Sequence, residues 1–206
     1  MRIVAGRFRG RRLDAPPGHA TRPITDRVKE NLFNILGHRL GEPGSLPPVA
    51  VLDLFSGPGS LGIEALSRGA TTCTFVERDR TALRALRQNL EILGLADRTR
   101  IIAANAWTMH PPEPQPAAGG AGYGLIFVDP PYRDATDVLQ VTDLLERLAP
   151  VLDDDGLIVF RHEVNATIPP ADPLGVLEYA DERVYGRMRL MLIRKGTKGR
   201  RDEGTR

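Results

Sequence analysis

Three features of the sequence predict an α/β fold built on a doubly wound, mostly parallel sheet. Short apolar runs typical of buried strands alternate with segments in which apolar residues recur at helical spacing. Glycines stand after several helical segments, where they can end a helix. A chain of 206 residues with 41% hydrophobic residues can form one such domain and a small appendage. Repeated strand–helix units place helices on both faces of a parallel sheet, so a Rossmann-like architecture is expected.

Residues 1–48 are predicted to form an N-terminal extension made of a short β-hairpin and a helix. The hairpin covers residues 1–13 and has an arginine-rich turn. The helix should begin after Thr25, which can cap it, and Asp26 suits the positive end of its dipole. Its apolar face consists of Val28, Leu32, Ile35 and Leu36. The segment GEPGSLPP then interrupts the chain and places the boundary near residue 48.

Residues 49–195 are predicted to form the main domain. Its strands are expected at 49–55, 72–77, 100–105, 124–129 and 156–161, its helices at 59–68, 79–93 and 136–149, and a C-terminal antiparallel hairpin at 176–194. The Pro- and Gly-rich loop at 110–122 is expected to be mobile and not to pack. Residues 196–206 are predicted to form a disordered basic tail.

Positive charge is concentrated at the two ends of the chain, although the net charge is only +2. Residues 1–30 carry a net charge of +5, residues 183–206 carry +7, and the body between them carries −10. Basic ends on an acidic body can contact a polyanion. A soluble protein with a disordered basic tail would show the same bias at its C-terminus.

Several classes of protein and of site are not indicated by the sequence. No apolar run approaches the roughly 20 residues of a membrane helix, and the first residues lack the apolar core of a signal peptide, so a cytoplasmic protein is expected. The single cysteine, Cys73, lies in an apolar stretch, which favours a structural thiol. Four scattered histidines show no ligand spacing, so no metal is expected. A monomer is expected for a chain of this size.

The turn after the first predicted strand combines glycines with a carboxylate. It runs from Asp53 to Gly62, and Gly57 and Gly59 allow the backbone to approach a ligand closely. The pattern is not the G-x-G-x-x-G that binds a pyrophosphate. Asp53 would repel a diphosphate but could accept hydrogen bonds from an ammonium group, which favours a cofactor that carries an amino acid. The same glycines also fit a strand–helix turn that binds nothing.

Two further polar positions follow the second and third predicted strands. Glu77 stands where an acid can bind both hydroxyls of a ribose. The Asn105 side chain or the Ala106 amide could bind the edge of an adenine. In parallel sheets, ligands bind beyond the carboxyl ends of the strands, so these residues should share a site with Asp53. As structural alternatives, Glu77 fits a surface position before a helix and Asn105 fits the start of a turn.

The most distinctive motif is Asp129-Pro130-Pro131-Tyr132, which follows the apolar run LIFV. Two prolines make a rigid corner without N–H groups, so the corner offers only acceptors, the Asp129 carboxylate and the Pro130 carbonyl. Such acceptors can hold the two hydrogens of an exocyclic amine and stabilise the positive charge that develops on its nitrogen. Tyr132 can stack on the base, which must lie outside a helix to be reached. A proline-rich turn with a packed tyrosine is the alternative.

These motifs together resemble those of a known family. The Asp53–Gly59 turn, Glu77 and the Asp-Pro-Pro-Tyr motif resemble methyltransferases that act on amino groups. The segments RIVAG at 2–6, RGR at 9–11 and RPITDRVKE at 22–30 resemble the bacterial small-subunit ribosomal RNA guanine-N2 methyltransferase family, often called RsmD. The resemblance runs from residue 2 to about 194. It implies a class I methyltransferase fold, S-adenosylmethionine as cofactor, and direct methylation of N2 of one guanine, with ribosomal RNA in an assembling particle as the partner.

The resemblance also implies which residues form the site. The implied cofactor-binding residues are Asp53, Phe55, Ser56, Gly57, Gly59, Glu77, Arg78, Asn105, Ala106 and Asp129. Residues Asp129, Pro130, Pro131 and Tyr132 would receive the guanine. The implied RNA-binding residues are Arg7, Arg9, Arg11 and Arg12 in the hairpin, and Arg22, Thr25 and Arg27 at the mouth of the site. Ser56 and Pro58 replace smaller residues of the family, and Pro58 could change the shape of the turn.

Three other functions are compatible with parts of this pattern. Adenine-N6 methyltransferases of DNA or RNA use the same four-residue motif, but the chain has no separate domain for target recognition. Protein glutamine methyltransferases more often have Asn at the position of Asp129. A catalytically inactive RNA-binding assembly protein is a different class, and in it Asp129 or the glycines should be lost. Five arginines and no acid in the first twelve residues favour contact with phosphates.

Overall fold

The structure, a computed structural model, describes residues 1–15, 24–41, 43–115, 120–131, 137–167 and 175–196. The strands are β1 (Ala50–Leu54), β2 (Thr72–Glu77), β3 (Thr99–Ala103), β4 (Tyr123–Val128), β5 (Leu152–Glu163), β6 (Leu177–Tyr185) and β7 (Met188–Lys195). The helices are α1 (Asp26–Leu40), α2 (Ser60–Ser67), α3 (Arg80–Ile92) and α4 (Val138–Leu148), and short 3₁₀ turns cover Ala96–Arg98 and Ala149–Val151.

The described strands form one sheet in the order β3-β2-β1-β4-β5-β7-β6. Strands β1 to β5 are parallel, whereas β7 pairs antiparallel with β5 and with β6. The chain first builds the sheet outward from β1 to β3 and then returns to place β4 on the other side of β1. The predicted fold class is therefore confirmed, and the switch in strand order lies between β1 and β4.

Both faces of the sheet are covered, as side-chain alternation along β1 shows. Val51 points into one buried cluster and Leu52 into the other. Helix α4 covers the Leu52 face with Leu144 and Leu145. The opposite cluster contains residues of the N-terminal extension (Ile3, Leu13, Val28, Leu32 and Phe33) together with residues of β1, β2 and α2. The extension therefore shares its core with the main domain.

The predicted elements agree with the structure except at their ends. The largest difference is β5, which begins at Leu152 rather than at residue 156, because Leu152 pairs with Tyr123 before a register shift in the ladder. The prediction that residues 110–122 do not pack is wrong for the beginning of that loop. The Glu113 carbonyl accepts hydrogen bonds from Arg100 Nη2 at 2.6 Å and from the Tyr123 hydroxyl at 3.3 Å. Residues 116–119 and 197–206 lie outside the described residues.

The ends of the N-terminal hairpin pair with each other as predicted. Arg2 and Arg12 form an antiparallel bridge, and the Ile3 amide donates to the Arg11 carbonyl at 3.0 Å. Thr25 caps α1 by accepting a hydrogen bond from the Val28 amide. The hairpin and α1 are thus formed by local signals that the sequence shows.

A buried ionic cluster holds the extension against α2. The Glu64 carboxylate is inaccessible to solvent and accepts from the Val4 and Ala5 amides at 2.8 and 3.0 Å. It also pairs with Arg68 Nε at 2.8 Å and lies 3.5 Å from Lys29 Nζ. Burial lowers the pKa of Lys29, and the charge of Glu64 opposes that effect. Two cations and two backbone amides thus depend on one carboxylate.

Within the described residues, no helix is both long and apolar enough to span a membrane. Cys73 is a buried free thiol on β2, as its apolar surroundings predicted.

Candidate active site

A cavity of about 520 Å³ lies at the carboxyl ends of the parallel strands, beside the β1/β4 switch in strand order. Four loops predicted to carry the site contribute to its wall, namely those after β1, β2, β3 and β4. The lining residues include Asp53, Phe55, Ser56, Gly57, Glu77, Arg78, Asn105, Ala106, Asp129 and Pro131. Met1, Ala15 and Ile24 of the extension also line it. The structure thus brings most of the predicted cofactor-binding residues together.

Gly59 belongs to the same turn but does not line the cavity. Its backbone has φ of +90°, and a Cβ there would lie 2.5 Å from Leu86 Cδ1 and 2.9 Å from Ile63 Cδ1. This glycine therefore allows α2 to start close to α3. Gly57 differs, because a Cβ there would meet nothing within 4 Å. Glycine is favoured at this position because its φ of +55° is a backbone conformation that other residues rarely adopt.

The Glu77 carboxylate is held by three backbone amides. It accepts from the Gly57 amide at 2.8 Å and from the Arg78 and Asp79 amides at 2.7 Å each. A carboxylate offers about four lone-pair sites, so about one further hydrogen bond can be accepted without loss of an existing one. The sequence predicted that Glu77 contacts two ribose hydroxyls. With three amides already bound, the two hydroxyls would have to share the one remaining lone-pair site or replace one of the hydrogen bonds from the backbone amides.

Asp53 is almost completely buried at the end of β1, with 1% of its surface exposed. Its Oδ2 accepts a hydrogen bond from the Gly62 amide at 2.8 Å. Burial raises the pKa of Asp53 to about 8, and the charges of Asp129 and Glu77 add to this effect. A cation in the cavity would favour the ionised form, so the site suits a ligand with an ammonium group.

Replacing Asp53 with asparagine should stabilise the protein in the absence of a ligand and weaken cofactor binding. The pKa of Asp53 is about 8 in the folded state and lies near 3.8 for the free side chain. The folded state therefore prefers the neutral form of the Asp53 carboxyl. The stability that this preference contributes is lost as the pH rises from about 4 towards 8. At a pH of about 8, Asp53→Asn should raise the free energy of unfolding by several kcal/mol, because each unit of difference in pKa corresponds to about 1.4 kcal/mol.

The increase in the free energy of unfolding of Asp53→Asn should shrink towards zero near pH 4. Thermal unfolding over a pH series can measure this trend. For S-adenosylmethionine, the cofactor that the family resemblance implies, calorimetric titration should show at least about tenfold weaker binding to the variant. Asp97→Asn, which changes an exposed carboxylate in the turn Ala96–Arg98, is the matched control and should alter neither quantity. A variant that is less stable than the parent protein at pH 8 would contradict this account of Asp53.

Phe55 lines the cavity near the predicted adenine position and packs on the buried Trp107 behind it. The ring of Phe55 lies 4.9 Å from that of Trp107 with an interplanar angle of 55°. Phe55 has a positive φ of 58°, which is uncommon for a residue other than glycine. Asn105 Oδ1 accepts from the Trp107 amide at 3.2 Å, so the asparagine does begin a turn, while it also lines the cavity. Trp107 was not among the predicted site residues.

Asn89 on α3 positions the glycine turn and was also missed. Its side chain is 2% exposed, and its Nδ2 donates to the Pro58 carbonyl and to the Asp14 carbonyl, both at 3.0 Å. Its Oδ1 accepts from the Asp14 amide at 2.8 Å. The asparagine therefore ties the end of the hairpin to the turn that contains Pro58. The polar side chain of Asn89 among the regularly spaced leucines of α3 was the feature of the sequence that could have indicated this role.

Asp129 lies at the end of β4 and forms an ion pair with Arg161 of β5. Its side chain is 16% exposed and that of Arg161 is 5% exposed. Burial raises the pKa of Asp129, and Arg161 acts in the opposite direction. Pro130 is buried and Pro131 lines the cavity, whereas Tyr132 lies outside the described residues. Arg161 was missed, although an arginine within the apolar run LIVFR is an unusual residue for a buried strand.

The predicted RNA-binding residues are mostly exposed. Arg7, Arg9, Arg11, Arg12 and Arg27 are accessible to solvent, and Arg22 lies outside the described residues. The Arg7 guanidinium lies over the Phe8 ring, 5.3 Å from its centroid. Thr25 is at the N-cap of α1, next to the cavity-lining Ile24. In the described part of the chain, no group of three or more His, Cys, Asp or Glu side chains is arranged to hold a metal ion.

Comparison with known proteins finds relatives along nearly the whole chain. The model of the family described as conserved hypothetical protein 95 matches residues 1–194. YlbH of Bacillus subtilis is 36% identical over 197 residues, which are 95% of this chain and 99% of that protein. Ribosomal RNA small subunit methyltransferase D of Escherichia coli strain K12 is 34% identical over 212 residues, which are 98% of this chain and 93% of that protein.

Solved structures show the same architecture. The structure of yhhF from Escherichia coli has a TM-score of 0.75 at 34% identity, and the match covers 95% of this chain and 97% of that chain. TrmN from Thermus thermophilus, at 21% identity and a TM-score of 0.60, shares the fold. The fold is therefore a Rossmann-like class I methyltransferase fold with antiparallel C-terminal strands.

Proposed function

Since the chain belongs to the family of conserved hypothetical protein 95, the RsmD family, we propose that it methylates N2 of a guanine in small-subunit ribosomal RNA with S-adenosylmethionine as cofactor. One observation carries this proposal beyond the family. The Asp129 corner, which offers acceptors for an amine, lines the same cavity as the Asp53 turn and Glu77. A cofactor that carries a methyl group and an amine that receives it can therefore meet in one place.

The residues of the cavity fit the parts of S-adenosylmethionine. Asp53 is a buried acceptor for the ammonium group, and the buried Ser56 hydroxyl has no partner among the described residues. Glu77 has acceptor capacity for the ribose. Asn105 and Ala106 line the cavity together with Phe55, and the adenine would bind there. When bound, S-adenosylmethionine supplies a methyl group that is already activated by a sulfonium leaving group.

Asp129 and Pro130 would prepare the amine for direct transfer. The lone pair of guanine N2 is delocalised into the ring, so the amine is a poor nucleophile. The Asp129 carboxylate and the Pro130 carbonyl each accept one N2–H, which favours a tetrahedral nitrogen and stabilises its developing positive charge. Asp129 and Pro130 would hold N2 in the orientation that transfer of the methyl group from S-adenosylmethionine to the N2 lone pair needs. The proton released from N2 passes to Asp129 and then to water.

The acceptor-only character of this corner favours guanine over adenine. N2 of guanine is next to N1–H, so one carboxylate can accept from both groups. N6 of adenine is next to N1, which is itself an acceptor and would be repelled by a carboxylate. The adenine-N6 reaction is the second candidate because the same two acceptors can also hold the two hydrogens of its amine.

The extension at residues 1–48 is proposed to bind the RNA, and residues 49–195 to carry out the reaction. The exposed arginines of the hairpin suit phosphates, and Met1, Ala15 and Ile24 place the extension at the cavity itself. Within the described residues, no acidic side chain forms an ion pair with Arg9, Arg11 or Arg12. These guanidinium groups are thus available to a polyanion.

The triple variant Arg9→Gln, Arg11→Gln and Arg12→Gln should bind RNA at least about tenfold more weakly at roughly 150 mM salt. Each lost phosphate contact removes one released counterion. The slope of log K against log salt should therefore fall by about 2–3 between roughly 50 and 200 mM salt. Filter binding with small-subunit RNA measures both quantities.

The matched control changes Arg183, Arg187 and Arg194 to glutamine. It removes the same charge, but these arginines lie on β6, on β7 or in the turn between them and form ion pairs with Asp181, Glu163 and Glu178. The control should keep nearly the full salt dependence. Equal weakening in both triple variants would mean that net charge alone, rather than the hairpin, attracts the RNA.

The proposed function is tested by tritium transfer from labelled S-adenosylmethionine to hypomethylated small-subunit RNA, with and without ribosomal proteins, followed by nucleoside analysis. Asp129→Ala protein is the background control. Label in N2-methylguanosine is the expected result, and the two reactions show whether free RNA or the particle is the substrate. Label in a methyladenosine would mean that the base methylated is adenine rather than guanine. The absence of label with RNA, with the particle and, in a third reaction, with DNA would favour the inactive RNA-binding protein.

A further inference from the structure

Arg161 is the cationic partner of Asp129 across neighbouring strands. Val128 of β4 pairs with Phe160 of β5, so the next residues along the two strands, Asp129 and Arg161, lie side by side at the carboxyl end of the sheet. Arg161 Nε donates to Asp129 Oδ1. Both side chains line the cavity. The pair is therefore part of the wall that would face the substrate.

The surroundings of Asp129 otherwise oppose its negative charge. The carboxylate lies mostly away from water, and Asp53 at the end of the neighbouring β1 is a second acid close enough to interact with it. On β7, Met188 contributes an uncharged sulfur 4.0 Å from Arg161 Nη1. Among the described groups that face Asp129, Arg161 thus supplies the positive charge.

We propose that Arg161 is a positioning residue, which keeps Asp129 ionised and directs its carboxylate into the cavity as an acceptor for the amine. The inference rests on the proposed function, because that function assigns the acceptor role to Asp129. An arginine suits this position because its guanidinium remains charged when buried and its planar shape sets the orientation of a carboxylate. A protonated Asp129 would instead present an O–H group, which cannot accept from an amine in the same way.

The first test uses Arg161→Met and follows the pH dependence of kcat. Loss of a neighbouring opposite charge raises the pKa of a buried carboxyl by about 1–3 units. The acidic limb of the profile should therefore move upward by at least about one pH unit, so that kcat falls more than about tenfold at low pH and recovers partly at high pH. Arg161→Lys keeps the positive charge, so the pH dependence of its kcat should be close to that of the parent protein.

Cofactor affinity and thermal unfolding of both variants report whether the fold and the cofactor site are intact. Arg187→Met, which changes an exposed arginine with 81% of its side chain accessible, should leave the profile unchanged. A loss of the same size at every pH in Arg161→Met would overturn the inference, because it would indicate a structural or substrate-binding role. An unchanged profile would overturn it as well.

A second measurement separates this inference from the proposed function. Carbon NMR of protein labelled at the aspartate carboxyl groups follows the titration of Asp129 without any substrate, with Asp129→Asn used for assignment. The Asp129 signal should titrate at least about one pH unit higher in Arg161→Met than in the parent protein. This result does not require methyl transfer, so inactivity of the parent protein towards RNA would reject the function and leave the role of Arg161 testable.

Discussion

Replacement of Asp129 with alanine should lower the rate of methyl transfer by about 10²–10³-fold while cofactor affinity changes by less than about threefold. The carboxylate contacts the amine in the proposed mechanism and acts most strongly when that amine becomes positively charged. In the proposed mechanism the cofactor would be held by the turns after β1, β2 and β3, which the substitution leaves intact. Single-turnover transfer to RNA and calorimetric binding of the cofactor measure the two effects separately.

Asp129→Asn provides the matched control for shape. Asparagine keeps an acceptor oxygen of similar size but has no negative charge, so its transfer rate should fall between those of the parent protein and Asp129→Ala. Both substitutions also remove the carboxylate that pairs with the Arg161 guanidinium, whose side chain is 5% exposed, so both variants require a check of thermal unfolding. Losses of the same size in turnover and in cofactor binding would show that Asp129 holds the cofactor rather than the amine.

Replacement of Glu64 with alanine should reduce the free energy of unfolding by about 3–5 kcal/mol, which corresponds to a fall in Tm of about 10 °C. The change leaves the Val4 and Ala5 amides without their acceptor. It also leaves Lys29 and Arg68, each with a 1% exposed side chain, without their counter-charge. Uncompensated buried charge is costly, so the loss should far exceed that of a surface ion pair.

Glu178→Ala is the matched control for Glu64→Ala. Glu178 pairs with Arg194 at 2.8 Å, but their side chains are 40% and 49% exposed. An exposed pair contributes up to about 1 kcal/mol, so this variant should unfold within a few degrees of the parent protein. Urea unfolding of both variants at neutral pH measures the difference. Equal destabilisation by the two substitutions would mean that burial of the Glu64 cluster has no special effect.

The Glu64 variant should also affect function, because the cluster connects the extension to the site. Residues of the extension line the cavity, and the cluster holds the backbone at Val4 and Ala5. Loosening of the hairpin should therefore raise KM for RNA more than it changes cofactor affinity. If the extension binds RNA as proposed, the stability of the fold and the binding of RNA would both depend on one buried carboxylate.

Local sequence patterns were sufficient to predict the helices, the strands and the loops that carry the site. The period of the leucines in α3 and the apolar run of β2 are determined by residues close together in the chain. Asp79 caps α3 and Gly59 precedes α2, which are also local effects. The rule that ligands bind at the carboxyl ends of parallel strands then placed Asp53, Glu77 and Asp129 at one cavity.

The contacts that set the chemistry of the cavity were decided by the tertiary structure alone. Asp129 and Arg161 are 32 residues apart and Asn89 and Asp14 are 75 residues apart. Such pairs depend on strand order and register, which apolar periodicity does not determine. The pKa of Asp53 depends on burial by elements distant in the chain. Of the three amides that bind Glu77, those of Arg78 and Asp79 are its neighbours in the chain, whereas that of Gly57 comes from the turn after β1. The sequence by itself therefore determined which residues reach the site, whereas packing decided the charge of Asp53 and Asp129 and the contact of Glu77 with Gly57, because these depend on distances in space between groups far apart in the chain.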